Sequence, residues 1–111
     1  MPSDTNANGD IFGGWLLSQM DLGGAVLARA LARSRVATVA IDGMSFVRPV
    51  NVGDTVTCYA RLQKLGRTSM KINVEVWSQH YAEGEPRQVT QGLFTYVAID
   101  EAGKPWPVER P

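Results

Sequence analysis

One long helical segment is followed by four long segments in which apolar and polar residues alternate, and this order limits the folds open to the chain. The segment over residues 12–33 is rich in Leu, Ala and Met, with Arg29 and Arg33 near its end, where the helix dipole favours cations. We predict a helix over Phe12–Arg33, preceded by an irregular polar loop over residues 1–10. Its internal glycines disfavour a helix, so Gly23 and Gly24 indicate close packing against another backbone, or room for a substrate.

The four alternating segments predict strands that pair as an antiparallel sheet. They read VATVAIDGMSFVRPV, TVTCYARLQKL, SMKINVEVWSQHY and QVTQGLFTYVAID, and Gly43 marks a bulge or bend in the first. The apolar surface of the helix is too wide to face water, and the sheet needs a cover. We therefore predict an α+β fold in which a curved antiparallel sheet wraps around one long central helix. An apolar outer sheet face would favour oligomerisation.

Length and composition exclude several classes of protein. The 111 residues fit a single domain, 1–111, and 11 basic residues balance 11 acidic ones, which disfavours a nucleic-acid surface. A single cysteine excludes an internal disulfide, and no apolar run has the roughly 18 to 20 residues of a membrane span. The start, MPSDTNANGD, lacks the features of a signal peptide. We predict a cytoplasmic domain with no membrane or nucleic-acid partner.

The only histidine and the only cysteine give little support for a metal site or a nucleophilic triad. His80 lies near a turn signal and is predicted to be a surface residue at a strand end, rather than a catalytic base. Cys58 alternates with apolar residues and is predicted to be a small core or sheet residue, rather than a nucleophile. Together they offer two metal ligands, so no metal is expected.

Asp21 is the most informative position in the helix. It lies outside the centre of the polar sector of the helical wheel, and its neighbours at helical spacing are apolar or very small. A carboxylate in such surroundings is poorly solvated, which makes it a stronger base, and the small neighbours leave a slot beside it. The alternative is a carboxylate at a rim or subunit interface that reaches solvent or an arginine.

The segment TNANGDIFGGW leads into the helix and suggests a site for a polarised carbonyl. If Gly13 and Gly14 open the helix, unpaired backbone N–H groups lie there, and glycine lets a ligand approach them closely. Such donors act as an oxyanion hole does. Asn6, Asn8 and Asp10 are equally well explained as turn and N-cap residues.

The segment KLGRTSMK joins two predicted strands and combines backbone freedom, hydroxyl groups and cations. Its residues Gly66, Arg67, Thr68, Ser69 and Lys71 make a candidate phosphate-binding corner. Short basic hairpins are also common as solvated turns, so the pattern alone is weak.

Taken together, four segments resemble the hotdog-fold acyl-CoA hydrolase family over nearly the whole chain. They are MPSDTNANGDIFGGWLLSQMDLGGAVLA, VATVAIDGMSFVRPVNVGD, LGRTSMKINVEVW and GLFTYVAID. The resemblance implies an antiparallel sheet wrapped around a long helix, and hydrolysis of acyl-CoA to free acid and CoA. Members carry a short apolar strand before the segment that begins here at Met1, so the resemblance predicts either a truncated start or a sheet that lacks this first strand at its edge.

The resemblance implies a role for four residues in the reaction. Asp21 matches the helix carboxylate that acts as general base on water or as nucleophile. Asn6 matches the loop amide that holds the thioester or the attacking water, and Gly13 and Gly14 match the glycines whose amide polarises the thioester carbonyl. A thioester has a good leaving group, so a carboxylate and carbonyl polarisation suffice without histidine.

The resemblance also implies where the rest of the substrate binds and how the chain assembles. Arg67, Thr68 and Ser69 match a segment expected near the CoA nucleotide and its phosphates. No cofactor is implied, since CoA is part of the substrate and product. Different subunits supply the Asp and the Asn, so the active unit is at least a homodimer, commonly within a trimer of dimers.

Two other functions fit the same scaffold. A non-catalytic acyl-CoA-binding or sensing module would bind CoA without hydrolysis, and the presence of both Asp21 and Asn6 disfavours it. Dehydration of a hydroxyacyl thioester usually needs a histidine in the site, and His80 lies far along the sequence from this helix. Acyl preference depends on residues such as Trp15, Leu17, Met44 and Phe46, and the sequence leaves it open.

Overall fold

The described residues form one helix packed against one four-stranded sheet. The computed structural model describes residues 2–51, 53–80 and 84–110, and for residues 2–12 it describes the backbone alone. The strands pair antiparallel in the order β1-β4-β3-β2, and the helix contacts all four. The predicted α+β layout and the predicted order of elements are confirmed. The elements are α1 (Pro2–Ala32), β1 (Arg35–Phe46), β2 (Asp54–Leu65), β3 (Ser69–His80) and β4 (Arg87–Ile99).

The helix begins earlier than the sequence predicted. Its first residue is Pro2, so the segment expected to be a polar loop is helical from that residue onward. Proline suits the first turn of a helix, because a backbone N–H has no partner within the helix there. An acidic residue such as Asp4 is also favourable in this turn, because negative charge is stabilised at the positive end of the helix dipole. The prediction of a start at Phe12 is therefore wrong.

Every fourth residue of α1 from Leu16 to Ala32 faces the sheet. Leu16, Met20, Ala28 and Ala32 are fully buried, and Gly24 completes the series. Residues four apart form one ridge on a helix surface, so a single ridge lies against the sheet. The two central strands supply its partners, which are Met70, Ile72, Val74 and Val76 on β3 and Phe94, Tyr96 and Ala98 on β4. Within the described residues, no helix is long and apolar enough to cross a membrane.

The two outer strands of the sheet remain open. Most residues of β1 and β2 are exposed. The reason is that α1 covers the centre of the sheet, and that in the described part of the chain each outer strand pairs with one other strand. Large apolar side chains are among the exposed ones: Val39, Ile41 and Phe46 on β1, and Tyr59 and Leu65 on β2. Open edges with apolar side chains are typical of surfaces that pair with another chain.

Interruptions in strand pairing bend the sheet around α1. The register of β1 on β4 shifts between Asp42 and Ser45, and Gly43 lies inside this shift with a φ of 66°. A bulge increases the local twist and bends its strand, and the left-handed conformation favours glycine. The prediction that Gly43 marks a bulge is confirmed.

The tail after β4 returns to the end of the helix. Trp106 N–H donates to the Ala98 carbonyl at 3.0 Å, and Val108, which is buried, donates its N–H to the Arg67 carbonyl at 2.8 Å. The Arg110 guanidinium lies 4.2 Å from the centre of the Trp106 ring and donates to the Ala32 carbonyl at 2.6 Å. A cation therefore binds carbonyls that the end of a helix leaves unpaired.

We expect Arg110→Ala to lower the free energy of unfolding by about 1–2 kcal/mol, because it removes a charged donor to the helix end and a cation–π contact. Urea denaturation measures the change. Arg87→Ala, which alters an exposed arginine at the start of β4, is the matched control and should change stability by less than about 0.5 kcal/mol. Equal losses in the two variants would contradict this role of Arg110.

Candidate active site

Asp21 lies in the middle of α1, next to the buried ridge, and is half-buried. Its Oδ1 accepts a hydrogen bond from Thr38 Oγ1 at 2.8 Å and one from the Tyr96 hydroxyl at 3.0 Å. The same tyrosine hydroxyl lies 2.8 Å from the backbone carbonyl oxygen of Asp21. Two side chains of the sheet therefore hold one oxygen of a carboxylate on the helix.

Strand pairing brings the two donors together. Thr38 on β1 and Tyr96 on β4 are cross-strand partners, so their side chains are neighbours on one face of the sheet. Tyr96 is fully buried and lies beneath α1, whereas Thr38 is exposed on the outer strand. The carboxylate is thus held from the core side by a phenol and from the open side by an alcohol.

Gly24 makes room for the tyrosine. A Cβ at this position would collide with the Tyr96 hydroxyl and would lie 3.0 Å from its Cζ. The sequence indicated close packing at Gly23 and Gly24, and at Gly24 the neighbour is a side chain rather than a backbone. At Gly23 a Cβ would only reach the Cβ of Cys58 at 4.0 Å. The glycine at position 24 therefore gives the phenol access to the helix.

The Tyr96 hydroxyl remains protonated beside the carboxylate. Burial raises the pKa of Tyr96 well above its usual value, and the hydrogen bond and the charge of Asp21 raise it further. Each of these effects disfavours the phenolate. Tyr96 is therefore a hydrogen-bond donor to Asp21 across the whole neutral range of pH.

The second carboxylate oxygen of Asp21 is open. Both side-chain donors bind Oδ1, and within the described part of the chain no hydrogen bond reaches Oδ2. A carboxylate with one oxygen held and the other open can take a proton from water or attack an electrophilic carbon.

Gly13 and Gly14 do not open the helix. They lie well inside α1, where backbone N–H groups bond to carbonyls four residues earlier. The free amide donors predicted for them are therefore not present in this chain, because the helix starts at Pro2. Gly14 has open space around it, and a Cβ at Gly13 would meet the Phe46 ring at 4.0 Å. The side chain of Asn6 lies outside the described residues.

The turn between β2 and β3 holds the candidate CoA residues at the level of Tyr96. Gly66 N–H donates to the Ser69 carbonyl at 2.8 Å and closes the turn, while the Thr68 carbonyl accepts from Ala98 N–H at 2.8 Å. Ser69 pairs with Val97, next to Tyr96. The turn and Asp21 therefore lie near the same end of β3.

The cations of this corner lie on different surfaces. The Arg67 side chain is exposed and borders a groove of about 510 Å³ that Leu65, Gly66, Pro107 and Glu109 also line. Lys71 is exposed and lies between the buried Met70 and Ile72, so it points away from α1. Within one copy of the chain, Lys71 and Asp21 are on opposite faces of the sheet.

His80 and Cys58 have no place in this cluster. His80 ends β3 at the end opposite the turn, and its Nδ1 lies 2.7 Å from Asp54 Oδ1. A hydrogen bond from the backbone of Asn51, followed by the contact with His80, lowers the pKa of Asp54. Desolvation raises the pKa of the Cys58 thiol, which disfavours the reactive thiolate. Both residues fit the structural interpretation, His80 at a strand end and Cys58 on a strand.

No three His, Cys, Asp or Glu side chains of the described residues lie together as a group that could hold a metal ion. The polar groups around Asp21 are two hydroxyls and a backbone carbonyl, and these suit hydrogen bonding to a carboxylate.

We expect Gly24→Ala to lower the free energy of unfolding by about 1–3 kcal/mol, because the new methyl group forces Tyr96 away from the helix. The matched control is Gly14→Ala in the same helix, where no atom lies within 4 Å of the added carbon. This control should stabilise the protein by up to about 1 kcal/mol through helix propensity. Thermal and urea unfolding compare them, and a neutral Gly24→Ala would contradict the close contact.

Known protein families match this chain along most of its length. The model of the thioesterase superfamily matches residues 8–84. The acyl-CoA thioester hydrolase YciA of Salmonella typhimurium is 59% identical over 111 residues, which cover 97% of this chain and 84% of the relative. YciA of Escherichia coli K12 is 58% identical over 114 residues, with coverages of 98% and 86%.

Solved structures match the fold as well as the sequence. A hexameric thioesterase from Yersinia pestis has a TM-score of 0.86 at 56% identity, covering 99% of this chain and 90% of the other. A hexameric broad-specificity acyl-coenzyme A thioesterase has a TM-score of 0.84 at 54% identity, with coverages of 99% and 76%. A hexameric hotdog-fold thioesterase of Campylobacter jejuni has a TM-score of 0.83 at 45% identity, with coverages of 98% and 84%. The hotdog fold predicted from the sequence is confirmed.

Proposed function

This chain belongs to the thioesterase superfamily, and we propose that it is an acyl-CoA thioester hydrolase that uses Asp21 to cleave acyl-CoA into free acid and CoA. The observation that carries the proposal is the half-buried carboxylate of Asp21, held at one oxygen and open at the other, in a chain 59% identical to an acyl-CoA hydrolase. The resemblance identified from the sequence is thereby confirmed at the level of the family.

The chemistry needs few groups. Asp21 Oδ2 takes a proton from water, and the oxygen of that water attacks the thioester carbonyl carbon, or Oδ2 attacks that carbon itself. The carbon–sulfur bond then breaks and the CoA thiolate leaves, taking up the proton that Oδ2 accepted from water. In the second route the acyl group stays on Asp21 as a mixed anhydride, and water hydrolyses this anhydride to release the free acid and restore the carboxylate. Because thiolate is a good leaving group, this reaction requires no histidine and no metal, and we propose that it uses no cofactor.

The site is proposed to be shared between two copies. Asp21 and Asn6 are fifteen residues apart on one helix, which is about 22 Å along its axis. Groups that act on one carbonyl must lie within about 3–3.5 Å of it. Asp21 and Asn6 of the same copy are therefore too far apart to serve one thioester. We propose that Asn6 of a neighbouring copy holds the thioester or the water.

Because their amides lie in the helical ladder, Gly13 and Gly14 are proposed as bare helix surface against which the substrate lies, not as amide donors. The aromatic rings of Trp15 and Phe46 are each about half exposed, and Phe46 lies beside Gly13. They offer apolar surface for an acyl chain.

A homo-oligomer explains the exposed apolar side chains. They lie on the outer strands and on α1, where Leu22 and Val26 are 57% and 61% exposed. Relatives with this fold are described as hexameric. We propose a homo-oligomer of at least two copies, assembled as a trimer of dimers, and we propose that it acts in the cytoplasm.

The turn between β2 and β3 is proposed to bind CoA. Arg67 supplies an exposed cation at the groove, and Thr68 and Ser69 supply hydroxyl groups, with Gly66 shaping the turn. Lys71 lies on the opposite sheet face from Asp21. It can bind a phosphate of the CoA whose thioester lies at Asp21 only if that CoA extends around the end of β3.

We expect Asp21→Asn to fold and assemble as the wild type does, and to lose at least about 100-fold in kcat, because the amide can neither accept the proton nor attack. Release of free thiol from a panel of acyl-CoA esters at neutral pH measures turnover. Circular dichroism and size-exclusion chromatography with light scattering check the fold and the assembly.

Two outcomes would contradict this proposal. Wild-type turnover in Asp21→Asn would remove Asp21 from the reaction. Saturable binding of CoA by the wild type, with no thiol released for any acyl chain length, would identify the protein as a binding or sensing module instead.

We expect Arg67→Ala to raise the KM for acyl-CoA about three- to tenfold with little change in kcat, because it removes a cation from a phosphate contact. The same variant should hydrolyse the matching acyl-pantetheine, which lacks the nucleotide and its phosphates, as the wild type does. Arg61→Ala on the outer face of β2 is the control. Equal effects of Arg67→Ala on both substrates would contradict the contact.

A further inference from the structure

The Tyr96 hydroxyl and the Thr38 hydroxyl meet on the same oxygen of Asp21, and neither residue belongs to the site that the sequence predicted. Among the residues described, two side-chain donors bind Oδ1 of Asp21 and none binds Oδ2. The two oxygens of a carboxylate in water are equivalent, so it is the protein that makes the two oxygens of Asp21 different.

The position of Tyr96 is strongly constrained. Its side chain is fully buried, its ring lies 6.3 Å from that of Phe94 at an angle of 14°, and the helix has a glycine where the hydroxyl passes. A buried phenol needs a hydrogen-bond partner, and the backbone carbonyl of Asp21 alone would satisfy it. The hydroxyl nevertheless lies 3.0 Å from Oδ1 as well, so it ties the side chain of Asp21 to its own backbone.

We propose that Tyr96 and Thr38 are positioning residues that hold Asp21 Oδ1 and thereby direct Oδ2 at the thioester. This inference rests on the proposed function of Asp21 and adds to it the residues that fix the direction of the carboxylate. Tyr96 fixes the side-chain rotamer of Asp21 from the core side, and Thr38 binds the same carboxylate oxygen from the exposed outer strand. Neither hydroxyl exchanges a proton with the substrate.

The arrangement affects the rate of the chemical step. A fixed carboxylate loses less rotational freedom when the reaction occurs, so the loss of a donor should lower kcat and leave KM nearly unchanged. A tyrosine that only braced the sheet against the helix would change stability and leave kcat at its wild-type value.

Tyr96→Phe tests the inference with the least change in shape. We expect kcat to fall about tenfold or more and KM to change less than twofold. Tyr59→Phe is the matched control, because it removes the same hydroxyl from a tyrosine that is 58% exposed on β2. It should have the kcat and the KM of the wild type.

Thr38 supplies a second test that does not disturb the core. Thr38→Val keeps the shape and removes the donor, and it should lower kcat and leave KM nearly unchanged. Thr38→Ser keeps the donor and should restore wild-type values. Because both hydroxyls act on one oxygen, the effects of Tyr96→Phe and Thr38→Val should not add independently in the double variant.

The outcomes separate this inference from the proposed function. If Asp21→Asn abolishes turnover while Tyr96→Phe and Thr38→Val keep the wild-type kcat, the positioning role is wrong and the role of Asp21 stands. A rise in KM alone would also overturn it, since that would mean contact with the substrate. Full turnover in Asp21→Asn would overturn both.

Discussion

The contact between the Tyr96 hydroxyl and α1 at Gly24 is the interaction on which the fold and the site both depend. The buried ridge of the helix carries side chains on either side of this point, with Met20 before and Ala28 after. A side chain at position 24 would collide with the Tyr96 hydroxyl, so that the buried tyrosine or the helix would have to shift. Glycine costs helix propensity, but at this position it allows the helix and the sheet to pack closely.

The same contact explains why the acid is only half-buried. Asp21 directly follows Met20 on the helix, and therefore lies beside the ridge instead of on it. A carboxylate on the ridge would lose all contact with water, and a fully desolvated charge is strongly destabilising. One residue away, it receives donors from the sheet at one oxygen while the other oxygen stays open.

The sequence contained enough information for the fold class, the order of elements and the choice of Asp21. Helical and alternating patterns record which residues face a core, and an acid among small residues is visible in a single helical wheel. The role of Tyr96 was missed because it occupies an ordinary inward-facing position in the alternating pattern of β4, and this pattern does not distinguish it from a core residue. Its partner on α1 is far away in sequence, and only the register of β4 on β1 places it beside Thr38.

The start of α1 was missed for a different reason. Polar residues and glycines at the beginning of the chain match a loop pattern, but a proline and an acid in the first turn match a helix equally well. The choice between the two patterns depends on what packs beside the segment, which local sequence does not contain. The position of Asp21 was easier to predict, because buried residues of the helix ridge precede and follow it in the sequence.

The position of Asp21 also explains why the chain is expected to work only as an assembly. In one copy, the acid is half-buried and its Oδ1 is bonded to Thr38 on the exposed outer strand β1. An open carboxylate in water has no means of selecting a thioester or excluding bulk solvent. The apolar side chains exposed on β1 and α1 form surface that a second copy can cover, and covering it would place that copy's residues over the acid. The interaction that stabilises the oligomer would then also complete the site, because both use the face of the fold that a single copy leaves open.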